Sequence, residues 1–371
     1  DWSSDVCSSD LYMLTTDEQY NTLDPTVMYT GEDLALFGGT MFRTLTAYKM
    51  SADNKEGTSL VADLATDTGT ASDGGKTWTF TLRDGATFQD GSAIGCKDVA
   101  YGTSRAFAQD ILGGGPTYAI AYLDIPKGAD GNSIYPGPYK ATADQQAAYD
   151  KAVSCSADNK TITFHLSQPV PDFNYTVTLL AFSPVPKAAD KGEGYDTAPV
   201  SSGPYKIQSY EVGKSLVLVR NDKWSQDSDP VRHAYPDSIV YQFALDPAVI
   251  DERMLADAGD DQTAVSADGI LPENLQTVFT DDKYKDRRHD GYDPFVSYTA
   301  FNVKAVPCLE IRQAVWLAND RDALRAAAGG PYTGDFADGF IKPALAADYA
   351  PNKLLDGLHE DGTPNVEAAK A

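Results

Sequence analysis

Histidine is scarce in this chain, with four in 371 residues: His165, His233, His289 and His359. None stands in H-E-x-x-H or at a paired spacing, so a histidine-built metal or catalytic site has no support. His165 falls on the polar side of a strand-like run, where solvation or capping accounts for it. Cysteine is equally sparse. Cys7, Cys96, Cys155 and Cys308 form no C-x-x-C pair, which argues against a zinc or dithiol redox motif. No run reaches 18 consecutive apolar residues, so this chain holds no transmembrane helix. Positive charge is short as well: 30 basic residues face 54 acidic ones, for a net charge of −24. A phosphate backbone would repel such a chain, which excludes nucleic-acid binding and fits a dispersed, soluble surface. There is no G-x-S-x-G elbow, and the GGGP at Gly113 lacks the G-K-[ST] of a phosphate loop. Paired carboxylates are too common here for Asp260-Asp261 or Asp281-Asp282 to mark a glycosidase. No catalytic residue, metal ligand or cofactor is assigned.

What is present is material for packed cores: 42% hydrophobic and 11% aromatic residues, enough for two or three domains. Residues 1–11, DWSSDVCSSDL, resemble the translation of a sequencing adapter and are set aside as a non-native leader. Leu34, Phe37, Met41 and Leu45 recur at three and four, which predicts one amphipathic helix, weakened by Gly38-Gly39. Trp78, Phe80 and Leu82 alternate with threonines in a half-buried strand. Thr161–Leu166, TITFHL, repeats the T-x-T-F-x-L pattern of Thr77–Leu82, and the two strands could pair. A helix is expected over about 97–110 and a loop-heavy stretch over 113–150. Strands are expected at 205–210, 215–220, 238–243 and 295–302, and helices at 246–259 and 310–328. Gly329-Gly330 supplies the last stop signal. Strand pairs alternating with helices read as α/β or α+β. Trp78, Phe80, Trp224 and Trp316 are assigned to packing.

Several segments together resemble one family. DGGKTWTFTLRDGATFQDGSAIGCKDVAYGTSR (73–105), SSGPYKIQSYEVGKSLVLVRNDKW (201–224) and FNVKAVPCLEIRQAVWLANDRDAL (301–324) are similar to the family 5 extracellular solute-binding proteins, the oligopeptide and dipeptide receptors of ABC importers. NTLDP (21–25) fits the usual opening of that family, and GGPTYAI (114–120) looks like its actinobacterial branch. The resemblance runs over about 12–371. Members are usually longer, so the chain is expected to be truncated at both ends, to lack its signal sequence and to be poorly soluble in isolation.

The resemblance implies an α/β, two-lobed periplasmic-binding-protein-like fold of class II, with an inserted α+β domain. Lobe I would comprise 12–46 and 183–265, the inserted domain 47–182, and an incomplete lobe II 266–371. It implies a monomeric extracytoplasmic receptor, attached to the cell surface as a lipoprotein, that binds a peptide and meets permease subunits. A cargo of oligosaccharide or metal chelate on the same fold is the alternative; a secreted hydrolase is further removed. Ligand contacts are expected at Met28, Tyr29 and Thr30, at Ser201, Ser202 and Gly203, and at Tyr298 and Asn302. Each has a plainer reading. The first trio fits a surface turn, the second an ordinary tight turn, and Tyr298 a core position. In an oxidising compartment Cys96 and Cys155 are expected to form a disulfide, leaving Cys308 free.

Overall fold

The computed structural model describes residues 10–289, 291, 296–337, 339–341, 349–350 and 362–371. The chain divides into two compact units, one running through residue 51 and resuming over 56–267, the other made of 52–55 and the residues from 268 onward.

Eleven strands lie among the described residues, all in the first unit. They are β1 (Leu11–Leu14), β2 (Thr46–Tyr48), β3 (Leu60–Ala62), β4 (Thr70–Ser72), β5 (Thr77–Thr81), β6 (Val153–Cys155), β7 (Thr161–His165), β8 (Tyr205–Glu211), β9 (Ser215–Arg220), β10 (Ser238–Gln242) and β11 (Ala264–Ser266). The larger sheet has the order β11-β1-β10-β9-β8, with β1 parallel to both neighbours and β10, β9 and β8 antiparallel. Leu216, Leu218, Ile239 and Tyr241 form one face of its core and pack with Phe37 and Met41 from the Gly31–Thr40 helix and its C-cap. Thr30 starts that helix by accepting from the Asp33 N–H at 3.3 Å.

The second sheet is antiparallel, β4-β5-β7-β6. Here the two T-x-T-F-x-L runs pair directly, with Trp78 opposite Phe164 and Phe80 opposite Ile162. Period-2 alternation sends these four inward, while the hydroxyls of Thr79 and Thr163 meet outside at 3.3 Å. Phe164, Phe173 and Phe182 complete the core with edge-to-face ring contacts. Cys96 and Cys155 are disulfide-bonded with Cα atoms 5.7 Å apart, tying the start of the Cys96–Arg105 helix to β6. Cys308 is free and exposed.

The structure corrects several expectations. Leu45 lies beyond the helix, which ends at Thr40, and is fully buried in the other core. The loop-heavy 113–150 contains helices at Tyr118–Tyr122 and Ala143–Ala152, the second started by a reciprocal Thr142–Gln145 capping box. The expected helix at 310–328 is two, Leu309–Ala318 and Arg321–Ala327, because Asp320 caps a new start by accepting from the Ala323 N–H at 2.9 Å. Residues 296–302 form no strand, and no strand lies among the described residues of the second unit. Extended chain needs a neighbour for its amides and carbonyls, and among the described residues of that unit no ladder partner lies beside 296–302.

A tyrosine-walled candidate ligand site

The loop NTLDPTVMYT is fixed from beneath. Asp24 accepts from the Thr26 N–H at 2.9 Å and folds the chain into an Asx turn. Its carboxylate then receives both terminal nitrogens of Arg105, each at 2.7 Å. Arg105 also donates to Thr26 Oγ1 and, through Nε, to Asp190 at 3.0 Å. Asp190 accepts from the hydroxyls of Tyr139 at 2.7 Å and Tyr101 at 2.8 Å. The side chains of Arg105, Asp24 and Asp190 are at most 1% exposed. Burial alone would raise the Asp190 pKa, but Arg105 and the two hydroxyls outweigh it and hold the carboxyl below its usual range.

This anchoring decides where three consecutive residues point. Met28 turns into the core and is fully buried. Tyr29 turns outward, half exposed. Thr30 caps the helix. Opposite Tyr29 stands the loop that opens the Tyr118–Tyr122 helix. The two loops touch at Gly115, where an added Cβ would lie 2.7 Å from Val27 Cα and 2.8 Å from the Thr26 carbonyl oxygen. That contact brings the Tyr29 and Tyr118 hydroxyls to 2.9 Å. Tyr29, Tyr118 and Tyr122, with Pro116, wall a cavity of ≈ 370 Å³ whose lining carries no carboxylate and no basic group.

Of the sequence-derived site residues, the structure therefore brings Tyr29 to an open cavity and withdraws Met28, whose apolar side chain is worth more in the core than in water. Ser201, Ser202 and Gly203 are withdrawn too. All three are buried, and their polar groups are used internally. Ser201 Oγ lies 2.5 Å from the Tyr205 carbonyl oxygen and 2.9 Å from that of Met41. The Ser202 and Gly203 amides both donate to the Met41 carbonyl, and Ser202 Oγ accepts from the Arg43 N–H at 3.0 Å. A Cβ at Gly203 would lie 2.6 Å from the Thr40 carbonyl oxygen. The glycine does permit a close backbone approach, but to the chain's own helix end rather than to a ligand.

Beneath this joint lies a second buried network, of two cations and two anions. Arg43 Nε meets Asp63 at 2.8 Å and Asp229 at 3.4 Å, and Arg232 Nη1 meets Asp63 at 2.9 Å and Asp229 at 3.3 Å. All four side chains are at most 2% exposed. Burial again opposes ionisation of Asp229, and Arg232 and Arg43 outweigh it, leaving its pKa lowered.

In the second unit, Tyr298 is 69% exposed with its ring edge-on to Phe340 at 5.3 Å. Asn302 caps a turn, its Oδ1 accepting from the Lys304 and Ala305 amides. The strand alternation expected to put both on one face does not exist there. Tyr118 and Tyr122, which line the cavity, carry no expectation from the sequence. Their spacing of four after a glycine-rich turn was the available signal. The sequence also gave Asp24 and Arg105 no role, although both stand in the resemblance segments. No group of three or more His, Cys, Asp or Glu that could hold a metal lies among the described residues, and no described helix is long and apolar enough to cross a membrane.

The mixed β11-β1-β10-β9-β8 sheet, with its separately cored antiparallel sheet, is of the α/β periplasmic-binding-protein class. The chain belongs to the bacterial extracellular solute-binding proteins of family 5: the family described as "Bacterial extracellular solute-binding proteins, family 5 Middle" matches residues 59–371. The periplasmic oligopeptide-binding protein OppA of Salmonella typhimurium is 32% identical over 254 residues, which cover 67% of this chain and 43% of OppA. The probable D,D-dipeptide-binding periplasmic protein DdpA of Escherichia coli is 30% identical over 207 residues, covering 54% of this chain and 34% of DdpA. Among solved structures, clavulanic acid biosynthesis oligopeptide binding protein 2 superimposes with a TM-score of 0.79 at 30% identity, covering 97% of this chain and 62% of that one. The chain spans about half or less of the length of the curated relatives it matches.

Proposed function

We propose that the protein is an extracytoplasmic receptor, not an enzyme, that captures peptides and delivers them to the permease of an ABC importer. The observation that carries this reading is the tyrosine-walled cavity. It is uncharged, open, and held by a buried ion network on the motif that opens the family resemblance. Relatives named as oligopeptide-, dipeptide- and murein-peptide-binding proteins support the cargo class. Main-chain pairing between an extended ligand and the receptor gives affinity with little dependence on ligand sequence. Closure is a hinge motion, biased by contacts that the ligand makes in the closed state alone.

The same reading assigns 12–46 with 183–265 to one lobe, 47–182 to an inserted domain and 266–371 to the other lobe. The receptor is monomeric and lipid-anchored at the cell surface. Tyr29, Thr30, Tyr298 and Asn302 remain its candidate contacts from the sequence, joined by Tyr118 and Tyr122. The competing cargo, an oligosaccharide, is favoured by one observation, since aromatic walls also suit the apolar faces of sugar rings.

Native mass spectrometry of the complete natural protein, purified without denaturation, separates the two. A ladder of masses that fragment as short peptides is the expected result. One discrete non-peptide mass would overturn the peptide reading.

A further inference from the structure

We propose that the cavity between Tyr29, Tyr118 and Tyr122 is a preformed specificity subsite for a flat, uncharged ring, the aromatic side chain of a peptide cargo; this rests on the peptide-receptor reading above. Three features of the cavity select that occupant. First, its lining holds neither a carboxylate nor a basic group, although the chain as a whole carries −24. A charged side chain placed there would be desolvated without a partner, which is costly. Second, the Tyr29 and Tyr118 hydroxyls are bonded to each other at 2.9 Å, which ties the two walls together at their tips and leaves their ring faces and edges to meet an occupant. Third, the rings are splayed. Tyr29 and Tyr118 are 6.3 Å apart at 57°, and Tyr118 and Tyr122 are 5.9 Å apart at 53°. Splayed walls admit a further ring in the edge-to-face or offset arrangements that aromatic pairs prefer. The volume, ≈ 370 Å³, accommodates the largest aromatic side chain with water beside it.

Preorganisation makes the subsite selective as well as capacious. The Tyr29 loop is fastened through Asp24 and Thr26 to buried Arg105, and the Tyr118 loop is pressed against Val27 at Gly115. A ring therefore enters a site whose ordering cost is already met by folding. Gly115 sets the width. Any side chain there must push one loop from the other, so Gly115→Ala separates Tyr118 from Tyr29 without touching either ring.

The test uses the complete natural protein and synthetic peptides of three and five alanines with one position, scanned along the peptide, replaced by Phe, Trp, Lys or Glu. Isothermal titration calorimetry gives each Kd. At one position Phe or Trp binds about tenfold tighter than Ala, the scale expected of aromatic packing. In Tyr118→Ala and Tyr29→Ala the ratio of the Ala to the Phe Kd falls to about one. Tyr118→Phe, which keeps the ring and loses the hydroxyl, retains the preference, and Gly115→Ala weakens it. Thermal melts establish that each variant is folded. Peptides that bind with no preference for a ring, a preference for Lys or Glu, or a ring preference that survives both alanine variants would overturn the subsite and leave the peptide receptor standing. No binding by any peptide would overturn the receptor reading and the subsite with it.

Discussion

The two units use the same kind of sequence to different ends. In the first, amphipathic strands meet partners, and two cores form with Leu216, Leu218, Phe80, Phe164 and many others buried. Seven arginines and aspartates there, Arg43, Arg105, Arg232, Asp24, Asp63, Asp190 and Asp229, also have buried side chains because each found an opposite charge. In the second, the Leu309–Ala318 helix presents the apolar spacing of Ile311, Ala314, Val315 and Ala318, yet Leu309, Ile311 and Val315 are more than half exposed. Of the described residues in that unit, Val278 is the one buried hydrophobic side chain. A helix satisfies its own backbone and so forms where its sequence is locally suited. Burial of its apolar face requires another element, and a pattern cannot supply one.

That contrast can be broken at its strong end. Phe80→Ala removes a fully buried ring from the core of the second sheet and is expected to cost about 3–5 kcal/mol in denaturant unfolding. A loss under about 1 kcal/mol would mean that the core is loosely packed and the contrast overstated. Arg105→Ala leaves Asp24 and Asp190 buried without their cation and is expected to cost a similar ~3–5 kcal/mol. It also frees the Tyr29 loop, which limited proteolysis near 21–30 would register as new cleavage. Reducing the Cys96–Cys155 bond, which closes a loop of 59 residues, is expected to lower stability by about 2–4 kcal/mol, read as a drop in Tm with reductant.

Acid sharpens the same comparison. The lowered pKa values of Asp190 and Asp229 mean that their stabilisation is complete above the unfolded carboxylate value of about 3.9 and is lost as pH falls through the folded values. Asp33 and Asp98 are raised by burial, so their protonation relieves a penalty and offsets part of that loss. Thermal melts should show the first unit weakening below about pH 4, with a shallower decline in Arg105→Ala. The smallest effect is expected at the exposed end, where Val315→Ala changes stability by no more than about 0.5 kcal/mol. A loss of 2 kcal/mol there would show that Val315 is buried in solution and erase the contrast.

Legibility in the sequence followed the same division. The 215–220 strand was placed at its observed bounds, and 205–210 and 238–243 within one residue of theirs, because alternation between turn residues is a local signal. β1 and β11 were not visible. LYML does not alternate, and β1 is a strand because Ile239 and Ala264, over 200 residues away, pair with Leu11 and Tyr12 in the ladder. The Ala143–Ala152 helix was legible in principle through Thr142 and Gln145, but glycines and prolines upstream obscured it. In the candidate site, the NTLDPTVMYT segment is legible as a loop, but its sequence does not say which of Met28, Tyr29 and Thr30 faces outward.

Composition and period thus determined an α/β or α+β class and five of the eleven described strands, β5, β7, β8, β9 and β10, since each depends on neighbours within a few residues, while the family came from the resemblance of whole segments. Tertiary structure alone decided that Met28 packs while Tyr29 faces the cavity, that Ser201 and Ser202 bond inward, and that Arg105 holds Asp24. A short motif fixes which side chains are adjacent in the chain, but inside and outside are set by partners that folding brings from a hundred residues away.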